Sequence, residues 1–443
     1  MSKPTLIDPL RRRGFRRLAL SYAVNELGDW MGIVALSVLV YDRTGSALAT
    51  AVLFLGTGFV PAVLAPLLVA RVERPPPRFV LPVLYAGEAA AFAGLALFAS
   101  HFSLAAVFVL ATLDGAIALA ARALTRAVVA AMLEPAGELR SGNAILNVAF
   151  TGGAAVGPAI AGLVVAGFGV EAALLLDAVS FYAIAWILFA AGPLPQAVPD
   201  PGNMLERLRA GFAYISRHLR LRHLMLAQGA AFVFFAAVIP VEVIYAKETL
   251  GVGDSGYGLL LASWGTGMVL GSFVFAALRG ASLPYLLFLS TATIGLGYIG
   301  MAVAPVLAVA CLASIVGGVG NGVQWVAVVS AVQELTSENM QARVMSVLES
   351  IGAAMLGVGY LAGGLIAATV DPRATFFFAG LGVLAIVAVF APILGTKWSD
   401  RVVMSNPSWL DGQDDVVLEL LPGSIAGTIG GSRSVQSDSE VLP

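Results

Sequence analysis

Long apolar runs alternate along the chain with short breaks rich in charge, proline or glycine. A helix needs about 20 predominantly apolar residues to cross roughly 30 Å of hydrocarbon. On that measure the pattern predicts twelve spans, at 18–41, 46–70, 79–99, 103–123, 147–168, 172–191, 223–246, 256–278, 283–303, 306–330, 347–369 and 374–395. The first follows Arg11, Arg12, Arg13, Arg16 and Arg17, but it is too long for the core of a signal peptide and lacks a small-residue cleavage site. It is expected to remain as the first helix. The longest break carries Pro193, Pro195, Pro199 and Pro201, then Arg207, Arg209, Arg217, Arg220 and Arg222, and divides the spans six and six. The expected organisation is a basic N-terminus (1–17), a six-helix half (18–191), a central loop (192–222), a second six-helix half (223–396) and a polar tail (397–443) expected to be disordered. Within the loop, Leu205 to Ile215 has the pattern of a short amphipathic helix on the inner membrane surface, its arginines toward anionic lipid.

Composition turns this pattern into a class. Of 443 residues, 59% are hydrophobic and only 12% charged, whereas a soluble domain is about 25% charged. A soluble enzyme is excluded, and an all-α integral membrane protein is expected. The 25 Lys+Arg against 27 Asp+Glu leave a formal charge of −2, with no basic surplus for nucleic-acid phosphates. The expected partners are the lipid bilayer, a small-molecule substrate and protons, with the chain acting as a monomer. Short positively charged loops stay in the cytoplasm. If the N-terminus is inside, only Arg43, Lys247 and Arg373 of the 25 basic residues fall outside, so both termini are expected on the cytoplasmic side of the plasma membrane.

Catalytic signatures are missing from the sequence. Cys311 is the single cysteine, and His101, His218 and His223 stand near span ends without metal-ligand spacing. No phosphate-binding Gly-x4-Gly-Lys-Ser/Thr and no Gly-x-Ser-x-Gly elbow are present. Neither a cofactor nor a metal is expected. A weak internal repeat runs at an offset of about 200 residues, as duplicated transporters show. Gly56-Thr57-Gly58 recurs as Gly265-Thr266-Gly267, Gly157 to Gly162 as Gly359 to Gly364, and Arg140 as Arg343.

Ionisable groups inside membrane spans are expensive and are functional hypotheses by default. Glu26 and Asp29 lie three residues apart in the first span and form one polar stripe with Tyr22. Two carboxylates so close in a low dielectric are suited to picking up and releasing a proton. Asp114, midway along the fourth span, is a further proton-coupling candidate, and Arg122 is a charge partner or gate. In the second half, Glu242 follows Pro240, and Asn321 and Gln324 lie beside Trp325. These four are cavity candidates, although Glu242 also has the option of snorkelling to the outer interface. Asp177 reads as a structural interface residue. Gly153, Gly157 and Gly162 with Pro158 have the spacing of a close helix seam.

Twelve spans in two halves, a basic central loop, Leu27-Gly28-Asp29-Trp30 and the Gly157-Pro158 series together resemble the major facilitator superfamily. Within it the chain is similar to the group of macrolide-efflux and enterobactin-export proteins, through the Gly-Asp of the first span, Tyr41 to Ser46 and Asp177 to Phe181. The resemblance implies a cavity lined by the first, fourth, seventh and tenth spans, with the third at the periphery, which ranks Glu88 low. The antiporter pattern Gly-x3-Gly-Pro-x2-Gly-Gly is matched at Gly153, Gly157, Pro158 and Gly162 but has Ala161 for one glycine. It implies export by proton antiport. In the loop after the second span Ala70 replaces the family's usual aspartate, so the cytoplasmic gate falls to Arg71 and Glu73. The expected function is proton-coupled export of a hydrophobic or amphipathic small molecule; the alternatives are uncoupled or uptake transport, or a receptor or scaffold derived from a transporter.

Overall fold

The computed structural model describes residues 7–72, 75–190, 194–195, 204–278 and 280–398. Glu73, much of the central loop and nearly all of the tail lie outside the described residues. After a short turn at Asp8–Arg11, the main helices are α1 (Arg13–Thr44), α2 (Ala47–Phe54, continuing through Leu55–Phe59 to Val60–Val72), α3 (Pro77–Ser100), α4 (Leu104–Leu133), α5 (Leu139–Phe189), α6 (Met204–Arg217), α7 (Leu219–Val238), α8 (Asp254–Ala277), α9 (Leu283–Val303), α10 (Leu307–Leu335), α11 (Glu338–Thr369) and α12 (Pro372–Trp398). Among the described residues, eleven helices are long and apolar enough to cross a membrane, where the hydropathy pattern predicts twelve spans.

The difference in number lies in α5. Its 51 residues would extend about 76 Å at 1.5 Å per residue, more than twice the hydrocarbon thickness, and they contain the predicted fifth and sixth spans together. Gly169 interrupts it with φ 84° and ψ 167°, a backbone region that is essentially glycine-only. The chain folds back there, because both arms reach the same turn of α1. A methyl group on Gly157 would lie 2.7 Å from Trp30 Cβ, and one on Gly28 would lie 2.6 Å from Asp177 Oδ1.

Local chemistry accounts for the other boundaries. Gly45 ends α1 in the left-handed region at φ 58°, with its N–H on the Tyr41 carbonyl at 2.8 Å. Ser46 then starts α2, its Oγ accepting from the Ala49 N–H at 3.2 Å. Within α2 a π-helical turn covers Leu55–Phe59, and α7 passes through a 3-10 turn at Ile239–Val241, a short helix at Glu242–Ile244 and a π-helical turn at Tyr245–Thr249. Both irregular stretches contain or follow glycine or proline. The amphipathic α6 forms where predicted and docks on α11, with Gly211 against the Arg343 carbonyl.

Apolar side chains cover much of the outside, among them Phe168, Val148 and Trp186, each at least 65% exposed, as expected where the surrounding solvent is lipid. The interior divides into one large cluster centred on α1–α5, with Phe15, Tyr22, Phe92 and Phe181, and smaller ones within α6–α12. Two seams join the two sets of helices. Along α5 and α8, backbone meets backbone: a methyl on Gly258 would lie 2.3 Å from the Pro158 carbonyl oxygen, and one on Gly265 2.2 Å from that of Ala154. Along α2 and α11 the rings of Phe54 and Tyr360 meet at 5.5 Å, and Tyr360 also faces Gly58. The four helices of these seams are those that the internal repeat relates, α2 to α8 and α5 to α11, and each seam sets one helix against the counterpart of the other.

Candidate functional site in the interior of the first helices

The stripe on α1 closes around one guanidinium. Helical spacing places Tyr22, Glu26 and Asp29 on one face of α1, and α4 brings Arg122 to it. Arg122 Nη2 donates to Asp29 Oδ2 at 2.7 Å, and its Nε lies 3.4 Å from Glu26 Oε1. Asn25 adds a second donor to Asp29 Oδ2 at 3.0 Å. The two carboxylates therefore share a cation, which the sequence-based expectation of a mutually repelling pair leaves out. The guanidinium offers the planar fork that suits paired carboxylates. Glu26 is 1% exposed, whereas the Arg122 and Asp29 side chains are 28% and 18% exposed, so the cluster opens at its Asp29 edge. Tyr22 is buried one turn before Glu26.

Asp114 lies two turns before Arg122 on α4, half-buried, with Oδ1 enclosed and without a hydrogen-bond partner. Gly153 and Gly157 let α5 press on the backbone of Glu26 and Leu27, and Gly162 meets Asp254 and Gly258 of α8. The glycine series thus packs on α1 with one face and on α8 with another, behind the charge cluster. Two motifs quoted separately above also meet, since Asp177 and Phe181 close over Gly28.

The second-set candidates separate. Gln324 is buried and donates to Thr291 Oγ1 of α9 at 2.8 Å, lining a small cavity with Gln228, while Trp325 is 47% exposed and Asn321 half-buried. Glu242 does not snorkel: it is 8% exposed, held inside by the irregular end of α7. Arg71 is exposed.

Sequence reasoning missed a contact network at the opposite end of α1. Lys247 Nζ lies 2.5 Å from Asp42 Oδ1 and 2.7 Å from Asp254 Oδ1, and the Tyr41 hydroxyl donates to Glu248. It joins α1 to the link between α7 and α8. The Tyr-Asp of the Tyr41 to Ser46 motif was the available signal. The other two basic residues that depart from the charge asymmetry are engaged as well, since Arg43 caps the end of α3 on the Ala99 carbonyl at 2.6 Å and Arg373 caps α9 on Ala302 at 2.8 Å.

Residues 5–428 match the model of a family described as transmembrane secretion effector. The chain belongs to that family of major facilitator proteins. No curated protein sequence matches it. Among solved structures, a bacterial homolog of the human lysosomal transporter Spinster, inward-facing and occupied, aligns with TM-score 0.69 at 14% identity, covering 90% of this chain and 100% of that one. A peptide transporter of the POT family in complex with sulfate gives 0.69 at 15% identity, covering 87% of this chain and 95% of that one. The nucleoside transporter NupG gives 0.68 at 12% identity, covering 85% and 99%. At these identities the likeness concerns the fold. The chain is therefore a multi-pass membrane transporter of the major facilitator type, and its family and structural neighbours are transporters rather than enzymes.

Proposed function

We propose that the protein exports a hydrophobic or amphipathic small molecule across the plasma membrane in exchange for protons. In this reading α1–α5 and α7–α12 are two six-helix halves, α5 crosses twice, both termini are cytoplasmic, and the halves rock about a central cavity. The observation that carries the reading is Arg122 held between Glu26 and Asp29 inside the membrane. A carboxylate that shares a cation can take a proton only as the cation lets go, and protonation of Asp29 frees Arg122 for a new partner. Charge movement and helix movement are thereby tied together. The engaged partners of Arg43, Lys247 and Arg373 agree with the assigned orientation, because each outer basic residue has a contact that requires it. The Asp42–Lys247–Asp254 bridge then fastens the halves on the outer side, which corresponds to a state open toward the cytoplasm.

The test is the pH inside proteoliposomes that contain the purified protein, under an imposed proton gradient, with a panel of lipophilic drugs and siderophores. Substrate-triggered proton movement is expected in the wild type and lost in Asp29→Asn. Substrate movement without proton movement would overturn coupling in favour of facilitation.

A further inference from the structure

The acids enclosed in the interior of α1–α5, Glu26, Asp29, Glu88, Asp114 and Asp177, outnumber the cations beside them. Glu26 and Asp29 divide Arg122 between them, and Arg126, one turn further along α4, is exposed. Three acids remain. Glu88 on α3 is 0% exposed, and neither carboxylate oxygen has a hydrogen-bond partner. Asp177 on the second arm of α5 is 1% exposed with Oδ2 unpartnered, and Asp114 Oδ1 is enclosed and unpartnered. The charges that act on Glu88 are Asp114 and Arg122 of α4, Asp29 of α1 and Asp177 of α5. Tyr85, one turn earlier on α3, stacks on Phe181 at 6.5 Å and closes the site from the side. The Thr125 hydroxyl of α4, 1% exposed, has no partner either.

An ionised carboxylate enclosed in this way, without cation or donor, is too costly to persist, and such a group neutralises instead. Asp29 has the opposite surroundings, with a guanidinium and an amide both donating to it. The acid that the sequence favours for carrying the proton is therefore the one whose anion is satisfied in this conformation, while the acid ranked low is the one whose anion is not.

We propose that Glu88 is a proton-binding site that holds the exchangeable proton in this conformation. Its O–H bond breaks when Asp29, released from Arg122, accepts the proton; the carboxylate left on Glu88 then has Arg122 as its countercharge. One proton moves and the net charge of the interior is unchanged. The assignment rests on the proton-coupled reading for its role in transport, but the presence of the proton does not.

Infrared difference spectroscopy on the purified protein in lipid, titrated with protons alone, tests the site without a substrate. The wild type is expected to show protonated-carboxyl C=O absorption that titrates with pH and shifts in D2O, with Glu88→Gln losing one carboxyl of it. In Glu88→Asp the band is expected to move rather than vanish, which covers the case in which Glu88→Gln does not fold. Asp29→Asn removes a facing negative charge and frees Arg122, so the Glu88 band should be lost at a lower pH than in the wild type. A Glu88→Gln spectrum identical to the wild type overturns the site. A Glu88 band that never titrates or exchanges makes the proton structural and overturns its exchange. If the site titrates while proteoliposomes show no coupled flux, the site stands and the coupled-export reading falls.

Discussion

Within α1–α5 the deeply buried polar side chains include Glu26, Glu88 and Asp177, while within α7–α12 they are Gln228, Ser263, Ser290, Thr291, Ser314, Gln324 and Thr375, with Glu242 the one buried acid of this second set among the described residues. The buried serine and threonine hydroxyls within these helices close their own bonds: Ser263 donates to Leu259 and Thr291 to Leu287 one turn back, and Ser314 reaches the Leu260 carbonyl of α8, while the Tyr298 hydroxyl of α9 is buried without a partner. In the first set Glu26 and Asp29 share one guanidinium, with the Asn25 amide as a further donor to Asp29, while neither carboxylate oxygen of Glu88 has a partner. Both sets are helical bundles with the same kind of seam, so packing does not require the charges. The second set serves as a neutral control for the first, and buried charge concentrated on one side is best explained by work that the other side does not perform.

The comparison breaks hardest at Arg122. Arg122→Leu leaves Glu26 and Asp29 without their cation, and removing one partner of a buried pair costs about 3–5 kcal/mol. The low end applies, because the Arg122 side chain is 28% exposed. Thermal unfolding in detergent should shift down markedly, and the combination with Glu26→Gln and Asp29→Asn should recover most of the loss. If the triple variant is no more stable than Arg122→Leu, the guanidinium is held by packing rather than by charge.

The two seams give a smaller, positional contrast. Gly265→Ala puts a methyl 2.2 Å from the Ala154 carbonyl oxygen, where backbone on both sides must move, whereas Gly58→Ala meets the Tyr360 hydroxyl at 3.4 Å, an ordinary contact. Overpacking of the first kind costs about 1–3 kcal/mol. Export in cells should fall several-fold more for Gly265→Ala than for Gly58→Ala at equal membrane abundance; equal losses would show that the halves do not rely on the α5–α8 seam.

Much of this was legible in the chain. Span positions follow from hydropathy, and the predicted break between 168 and 172 falls where α5 gives way at Gly169, whereas the irregular turn at Ile239–Val241 lies inside the span predicted over 223–246. The face shared by Glu26 and Asp29 follows from the helical repeat. Their common cation does not, because Arg122 is 93 residues from Asp29 and sequence spacing says nothing of approach between helices. For the same reason Tyr41 and Asp42 read as a motif with no purpose until Lys247, 205 residues from Asp42, is beside them. Glu88 was ranked by the peripheral place of its helix, although a peripheral helix still turns one face inward. Gln324 and Trp325 were grouped as neighbours in sequence, yet adjacent helical residues point about 100° apart, and here they face different surroundings.

Gln324→Leu is the smallest of these perturbations and measures how neutral the control is. The substitution removes the amide that donates to Thr291, but the Thr291 hydroxyl keeps its own bond to the Leu287 carbonyl at 2.6 Å, so no donor is stranded. Losing one neutral hydrogen bond without leaving an orphan costs about 1 kcal/mol or less. The small cavity shared with Gln228 becomes less polar and gains a methyl-rich lining. Thermal stability should therefore change little, and proton movement in proteoliposomes should match the wild type. A loss as large as that of Arg122→Leu would mean that the polar cluster of α9 and α10 takes part in transport, and the contrast between a charged and a neutral half would no longer locate the coupling.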